Sequence, residues 1–318
     1  MIFYYRYNKK KVIKLAEIVL NFLKKALENQ YEKRDVDLIL EGLSKNRKTT
    51  VRVNTLKSCM SEIKKVFENE GILFKDVEWN DFALIIENAD ESRIRKLKVY
   101  ESGKIYMQSL SSMIPPVILN PQANESILDM AAAPGGKTTE TACLSNNQAM
   151  ITACEKNKIR CDKLKYNLEK QGANRVTIMQ EDARKLSDFF MFDKIMLDAP
   201  CSGSGTINIT DSNLEKYFSK ELCTRAVKTQ KELLEKAAKI VKIGGEIVYS
   251  TCSVLKDENE KVVQTILNKS NFEIVPIDMD LTGIPVIPTT IEGTLCVCPT
   301  KTYEGFYVAK LKKINKKR

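Results

Sequence analysis

Apolar residues recur along the chain in two rhythms. Over 11–28, KVIKLAEIVLNFLKKALE, they return at helical spacing and predict an amphipathic helix. Residues 47–53 and 82–86 predict short strands, and 58–70 between them predicts a helix with Ser58 or Ser61 as its cap. From about 124 the rhythm shortens. SILDM (126–130), AMITACE (149–155), RVTIMQ (175–180), FDKIMLD (192–198) and EIVYST (246–251) are short apolar runs rich in β-branched residues. Helical stretches at 136–145, 157–171, 224–241 and 256–269 separate them. Strands alternating with helices predict parallel pairing in a doubly wound α/β sheet. FEIVPI (272–277) and GFYVAKL (305–311) predict further strands, and 281–304, rich in Thr, Pro and Gly, predicts loops. The expected organisation is a helical extension over 1–45, a small α+β subdomain over 46–120, and the α/β domain over 121–318.

Asp129, Glu155, Asp198 and Cys252 all fall at or just beyond strand ends. Ligands of doubly wound sheets bind outside the carboxyl ends of the strands, so these four are expected to share one edge.

Charge separates the ends from the middle. The net charge is +10, of which +6 lies in residues 1–100 and six positive charges lie in 310–318. Basic ends around a near-neutral centre suit either a polyanionic partner or a merely solvated surface. The opening residues place apolar positions before charges and are too short to span a membrane. No secretory leader, membrane span or even cysteine framework is evident, so reduced thiols and a cytoplasmic location are expected. The chain has nine cysteines and no histidine. That composition excludes Ser-His and Cys-His mechanisms and any imidazole-bound zinc site. Cys296-x-Cys298 alone is a weak metal signal, and no metal is expected.

The run Asp129-Met-Ala-Ala-Ala-Pro-Gly-Gly-Lys-Thr-Thr139 follows a strand and opens a helix. Its small residues let a ligand approach the backbone beside a helix N-terminus. Gly136-Lys137-Thr138 resembles a phosphate loop, but Ala131 stands where that motif needs its first glycine. Glu155 is placed to accept hydrogen bonds from ribose hydroxyls, and Asp182 to meet an adenine edge. The G-x-G-x-x-G fingerprint of dinucleotide enzymes is absent, so the loop and these acids outline an adenosine site.

Cys201, in DAPCSGSG, follows the fourth strand, and Cys252, in YSTCS, ends the fifth. The fourth and fifth strands of such a sheet are usually neighbours, so the two thiols are expected close together. Both sit in polar loops where a buried hydrophobe has little to fill.

DMAAAPGGKT, DAPCSGSG and YSTCS together resemble the RNA cytosine-5 methyltransferases of the Sun or Nop family. RVNTLK (52–57), YMQSLSSMIPP (106–116), the segment of Glu155, Arg160, Leu164 and Asn167, and GFYVAKL extend the likeness over roughly 47–311. The resemblance implies a Rossmann-like methyltransferase sheet preceded by an RNA-binding subdomain. It implies S-adenosylmethionine as cofactor, contacted by Ala131, Ala132, Ala133, Pro134, Gly135, Gly136, Lys137, Glu155, Arg160, Asp182 and Asp198. It assigns Cys252 as the nucleophile that adds to carbon 6 of cytosine and turns carbon 5 into an enamine nucleophile. A free thiol has a pKa near ~8.5, and Lys137 or the sulfonium of the cofactor is the candidate for the positive field that ionises it. Asp198 would hold the polar edge of the base and protonate N3, and Cys201 would help remove the C5 proton or release the product. The likeness departs at Ala131, where many members carry cysteine, and near Pro299, where members carry Arg and His. The expected partner is ribosomal or transfer RNA, met by a monomer. Two rival readings stay open: a catalytically silent RNA-binding factor, and a DNA methyltransferase whose nucleophile would be Cys201.

Overall fold

The computed structural model describes residues 17–211, 213–269 and 271–315. The first residues of the helix expected over 11–28 and the last three of the basic tail lie outside them. α1 (17–28) and α2 (Lys33–Leu43) open the described chain. Next come β1 (Thr50–Val53), α3 (Met60–Asn69), β2 (Phe74–Val77), β3 (Asn80–Ile86), α4 (Glu91–Arg95), α5 (Lys98–Glu101) and β4 (Ile105–Met107). α6 (Leu110–Leu119) leads into β5 (Ser126–Asp129), α7 (Gly136–Leu144), β6 (Met150–Cys154), α8 (Lys158–Gln171), β7 (Val176–Met179) and β8 (Phe192–Asp198). α9 (Lys220–Ile240), β9 (Val241–Thr251), α10 (Glu260–Leu267), β10 (Phe272–Ile274), β11 (Leu295–Val297) and β12 (Phe306–Lys313) complete it.

β8 shows why the central strands read as unbroken apolar runs. Ile195 and Leu197 enter one core with α1, α2, α9 and α10, while Met196 enters another with α6, α7 and α8. Successive side chains of a strand point to opposite faces, so both faces must be apolar when helices cover both. β9 divides likewise, with Ile247 and Tyr249 against Val248. The strand order is β10-β12-β9-β8-β5-β6-β7, with β11 paired to β12. β5 to β9 run parallel, and β12 closes on β9 antiparallel. The chain runs outward from β5 through β6 to β7, then crosses back to β8 on the other flank. The switch point therefore lies between β5 and β8, where Asp129 and Asp198 end their strands.

The subdomain is an antiparallel sheet, β2-β3-β1-β4, around its own core of Val51, Val53, Ile63, Phe67 and Leu84. Buried Arg52 of β1 ties it to α7. It donates to Gln108 Oε1 (3.1 Å) and Thr139 Oγ1 (2.9 Å), and its Nε lies 3.9 Å from Glu140.

The structure differs from the sequence expectations at several elements. β11 lies inside the expected loop region, too short and too flanked by Thr, Pro and Gly for a strand pattern. α9 begins at Lys220, four residues early, and α10 begins at Glu260, four residues late. α6 holds Pro115 and Pro116 within its span. Pro116 has no N–H for the Ser112 carbonyl, which accepts instead from Gln108 Nε2 at 3.2 Å. Among the described residues no helix is long and apolar enough to cross a membrane.

Candidate active site

The loop after β5 is fastened from beneath. Asp129 is buried, and its carboxylate accepts from Thr138 Oγ1 (2.7 Å) and the Ala131 N–H (3.3 Å). Burial pushes this carboxyl up to about 6 against those two hydrogen bonds. Gly135 caps α7 with φ +108, a conformation that favours glycine. A Cβ at Gly136 would come 3.2 Å from the Tyr106 ring, so glycine also keeps space open beside the loop.

A cavity of about 690 Å³ opens over the switch point. Ala131, Ala132, Ala133, Pro134, Gly136, Lys137, Asp198 and Cys252 all line it. A smaller cleft on the other side of Ala131 is lined by Glu155, Arg160 and Asp182. Glu155 is buried; it accepts from the Asn157 N–H (2.8 Å) and pairs with Arg160 at 3.2 Å. Arg160 in turn donates to the Ala133 carbonyl at 2.6 Å, linking β6 to the loop. Asp182 is gripped by Arg184, whose hydrogen bonds hold its carboxyl down to about 2.

Lys137 and Asp198 form the polar centre. Lys137 Nζ donates to Asp198 Oδ2 (2.7 Å) and Ser112 Oγ (2.6 Å), and Ser250 Oγ donates to Asp198 Oδ1 (2.8 Å). Burial works to lower the lysine, but Asp198 outweighs it, with Cys252 and Asp129 adding, so Lys137 is held above its ordinary value and stays charged. Register explains the serine contact: β8 and β9 pair with Asp198 opposite Ser250.

The same register brings the thiols together. Cys201 Sγ and Cys252 Sγ are 2.9 Å apart, and the Gly205 N–H donates to the Cys252 carbonyl at 3.0 Å. Cys201 is pushed well above an ordinary thiol by its hydrogen bond to Cys252 and by burial. Either sulfur can donate to the other across this contact.

Residues 116–312 match the family model described as 16S rRNA methyltransferase RsmB/F. The chain belongs to the RsmB/F family. A ribosomal RNA small subunit methyltransferase F from Shewanella sp. (strain ANA-3) is 33% identical over 309 residues, which is 94% of this chain and 63% of that protein. The RsmB/F chain thus spans less than two thirds of the curated relatives' length. Among solved structures it resembles a methyltransferase homolog protein from Pyrococcus horikoshii, with 31% identity, TM-score 0.76, and coverage of 92% of this chain and 99% of that one. It shares the fold of NSun6 from Pyrococcus horikoshii with SFG, at 24% identity and TM-score 0.81 over 92% of this chain and 98% of that one.

The RsmB/F site also holds residues that sequence reasoning did not single out. Ser250 lies inside the YSTCS motif and Glu258 five residues beyond it, and their nearness to Cys252 was the available signal. Ser112 lies inside YMQSLSSMIPP and Glu304 directly precedes GFYVAKL, a comparable signal; Glu304 accepts from Ser109 Oγ at 2.7 Å beside the cavity. Arg47, five residues before RVNTLK, lines the cavity and donates to the Thr206 (2.7 Å) and Gly205 (2.9 Å) carbonyls.

Proposed function

We propose that this chain methylates carbon 5 of a cytosine in RNA, using S-adenosylmethionine, with Cys252 as nucleophile. The observation that carries the reading is the Cys201–Cys252 pair set beside Asp198 and Lys137 at the switch point. The RsmB/F relatives, named for the small-subunit ribosomal RNA, favour ribosomal over transfer RNA. We place the protein in a reducing cytoplasm as a monomer, and all nine cysteines are free.

The residues suit the cofactor. The cavity and the cleft share Ala131 in their linings, with Glu155 and Asp182 lining the cleft and Cys252 lining the cavity. Alanines 131–133 and Gly136 leave the backbone approachable there. Glu155, which accepts one hydrogen bond and pairs with Arg160, keeps lone pairs for ribose hydroxyls. The candidates Ala131, Ala132, Ala133, Pro134, Gly135, Gly136, Lys137, Glu155, Arg160, Asp182 and Asp198 are assigned to this binding. S-adenosylmethionine, when bound, supplies an electrophilic methyl group.

The chain's own residues do the rest. The Cys252 sulfur adds to carbon 6, and the ring's electrons move so that carbon 5 becomes nucleophilic. Asp198 holds the polar edge of the base, with Lys137 and Ser250 fixing its carboxylate. After methylation the C5 proton leaves to water and the Cys252–C6 bond breaks. The Cys201 thiol, 2.9 Å from that sulfur, donates its S–H to the departing thiolate.

The test is transfer of labelled methyl groups to RNA, followed by site mapping. Cys252→Ala should abolish turnover, and Cys201→Ala should trap a covalent protein–RNA adduct. An adduct with Cys252→Ala and none with Cys201→Ala would reverse the roles. Methylation of DNA alone would favour the rival DNA reading, and no methylation of either would favour the silent factor.

A further inference from the structure

Beneath the two thiols lies a carboxylate with no part in the scheme above. Glu258 is fully buried. Its Oε1 accepts from the Ser202 N–H (2.8 Å) and Gln230 Nε2 (3.3 Å). Its Oε2 accepts from Ser202 Oγ (2.5 Å) and Ser253 Oγ (2.6 Å). Ser202 directly follows Cys201, and Ser253 directly follows Cys252. One carboxylate therefore spans both loops. Ser204 Oγ and Ser253 Oγ, 2.8 Å apart, form a second strut between them.

Burial pushes the Glu258 carboxyl above its ordinary range, and its hydrogen-bond donors work against that. Both hydroxyls already accept from backbone N–H groups, Ser202 from Ser204 (3.3 Å) and Ser253 from Leu255 (3.0 Å). Their protons are free to point at Glu258. Four donors face the carboxylate and favour its ionised form.

The electrostatics around the pair are lopsided. Lys137 and Arg47 both lie within electrostatic reach of Cys252. Cys201 has Glu258 within reach, and the groups nearest that carboxylate, Tyr249 and Cys223, are themselves held uncharged by burial. Cys252 thus stands with two cations, Lys137 paired to Asp198 and Arg47 within reach of Glu304, and Cys201 stands with Glu258.

We propose that Glu258 is the positioning residue of the thiol pair, tying the Cys201 loop to the Cys252 loop and keeping the proton on Cys201. This rests on the assignment of Cys252 as nucleophile and Cys201 as its donor. A buried anion beside Cys201 opposes its ionisation, so its S–H stays available to the leaving Cys252 sulfur.

The test reads Cys201 directly, without methyl transfer. Initial rates of iodoacetamide alkylation at each cysteine, mapped by peptide mass across pH, give the Cys201 midpoint. In the native chain it should lie above that of a free thiol, and a midpoint at or below that value would overturn the proposal. Glu258→Gln should lower it by about one pH unit or more, and an unchanged midpoint would also overturn it. Ser202→Ala removes one strut and keeps the charge, so the midpoint should stay raised. A fall there to the free-thiol value would assign the effect to packing instead, and this comparison stands even if Glu258→Gln does not fold. With RNA and cofactor, Glu258→Gln should accumulate adduct. If alkylation shifts as expected but no variant ever forms adduct, the nucleophile assignment has failed and the role of Glu258 has not.

Discussion

Lys137 carries three contacts whose loss should be felt separately. Its ammonium pairs with Asp198, bonds to Ser112, and lies 5.4 Å from the centre of the Phe306 ring. Lys137→Met keeps the apolar stem and removes the charge. Asp198 is then left with Ser250 alone, and Cys252 loses a nearby cation. Methyl transfer should fall roughly 100-fold or more, the usual scale for removing one charged donor from such a site. Single-turnover kinetics would check this, and a variant within threefold of native would remove Lys137 from the proposed chemistry. At this scale the sequence was most informative about identity and least about contact. The motifs exposed Lys137, Asp198 and both cysteines. Nothing in them tells that Asp198 is shared between a lysine and a serine, or that the carboxylate six residues beyond Cys252 turns inward. Those facts depend on side-chain directions that only the packed loops decide.

The loop carrying Cys201 is held between elements by two glycines in contact. The Gly305 N–H donates to the Gly205 carbonyl at 2.9 Å just before β12. A Cβ at Gly205 would lie 2.0 Å from the Gly305 oxygen, which is backbone and cannot swing aside. Gly205→Ala should therefore cost about 1–3 kcal/mol of stability, read by denaturant titration, and should displace Cys201 from Cys252. An unchanged midpoint with full activity would show that the loop relaxes freely. Element by element, the parallel strands were legible because helices bury both of their faces. α6 was not, because two prolines interrupt the pattern and a glutamine side chain replaces the missing backbone donor. α10 was placed too early because residues 256–259 are polar enough to continue a helix on paper. In the fold they turn, and that turn delivers Glu258 and Asn259 under the thiols, where Asn259 Nδ2 donates to the Ser253 carbonyl at 2.9 Å.

Across the whole molecule, the subdomain and the large sheet meet at the buried pair of Arg52 and Glu140. Burial pushes Glu140 up to about 7, and Arg52 only partly offsets it. Its unfolded value is ~4.3, so between these limits the folded chain keeps a proton that the unfolded chain has lost. The stability this confers is complete below about pH 4 and is lost as pH rises through about 7. Denaturation midpoints of the native chain and Glu140→Gln should diverge over that window, the native chain losing on the order of 1.4 kcal/mol per unit of pKa difference. Parallel curves would show that Glu140 titrates normally. The change of rhythm near 124 in the sequence falls between the antiparallel sheet and the parallel one. The clasp was not legible, since an arginine in a short strand and a glutamate in a helix are ordinarily surface residues.

The pairing of Asp198 with Ser250 has a consequence for how such a chain can vary. Parallel strands advance together, so this register works as a ruler, with Cys201 three residues past one mark and Cys252 two past the other. Side chains alternate faces along a strand, and a slip of one residue turns each to the opposite side. A single inserted or deleted residue between Ser250 and Cys252 would carry the thiol away from its partner even if every residue type were kept. Length, more than composition, is what these two short segments must preserve.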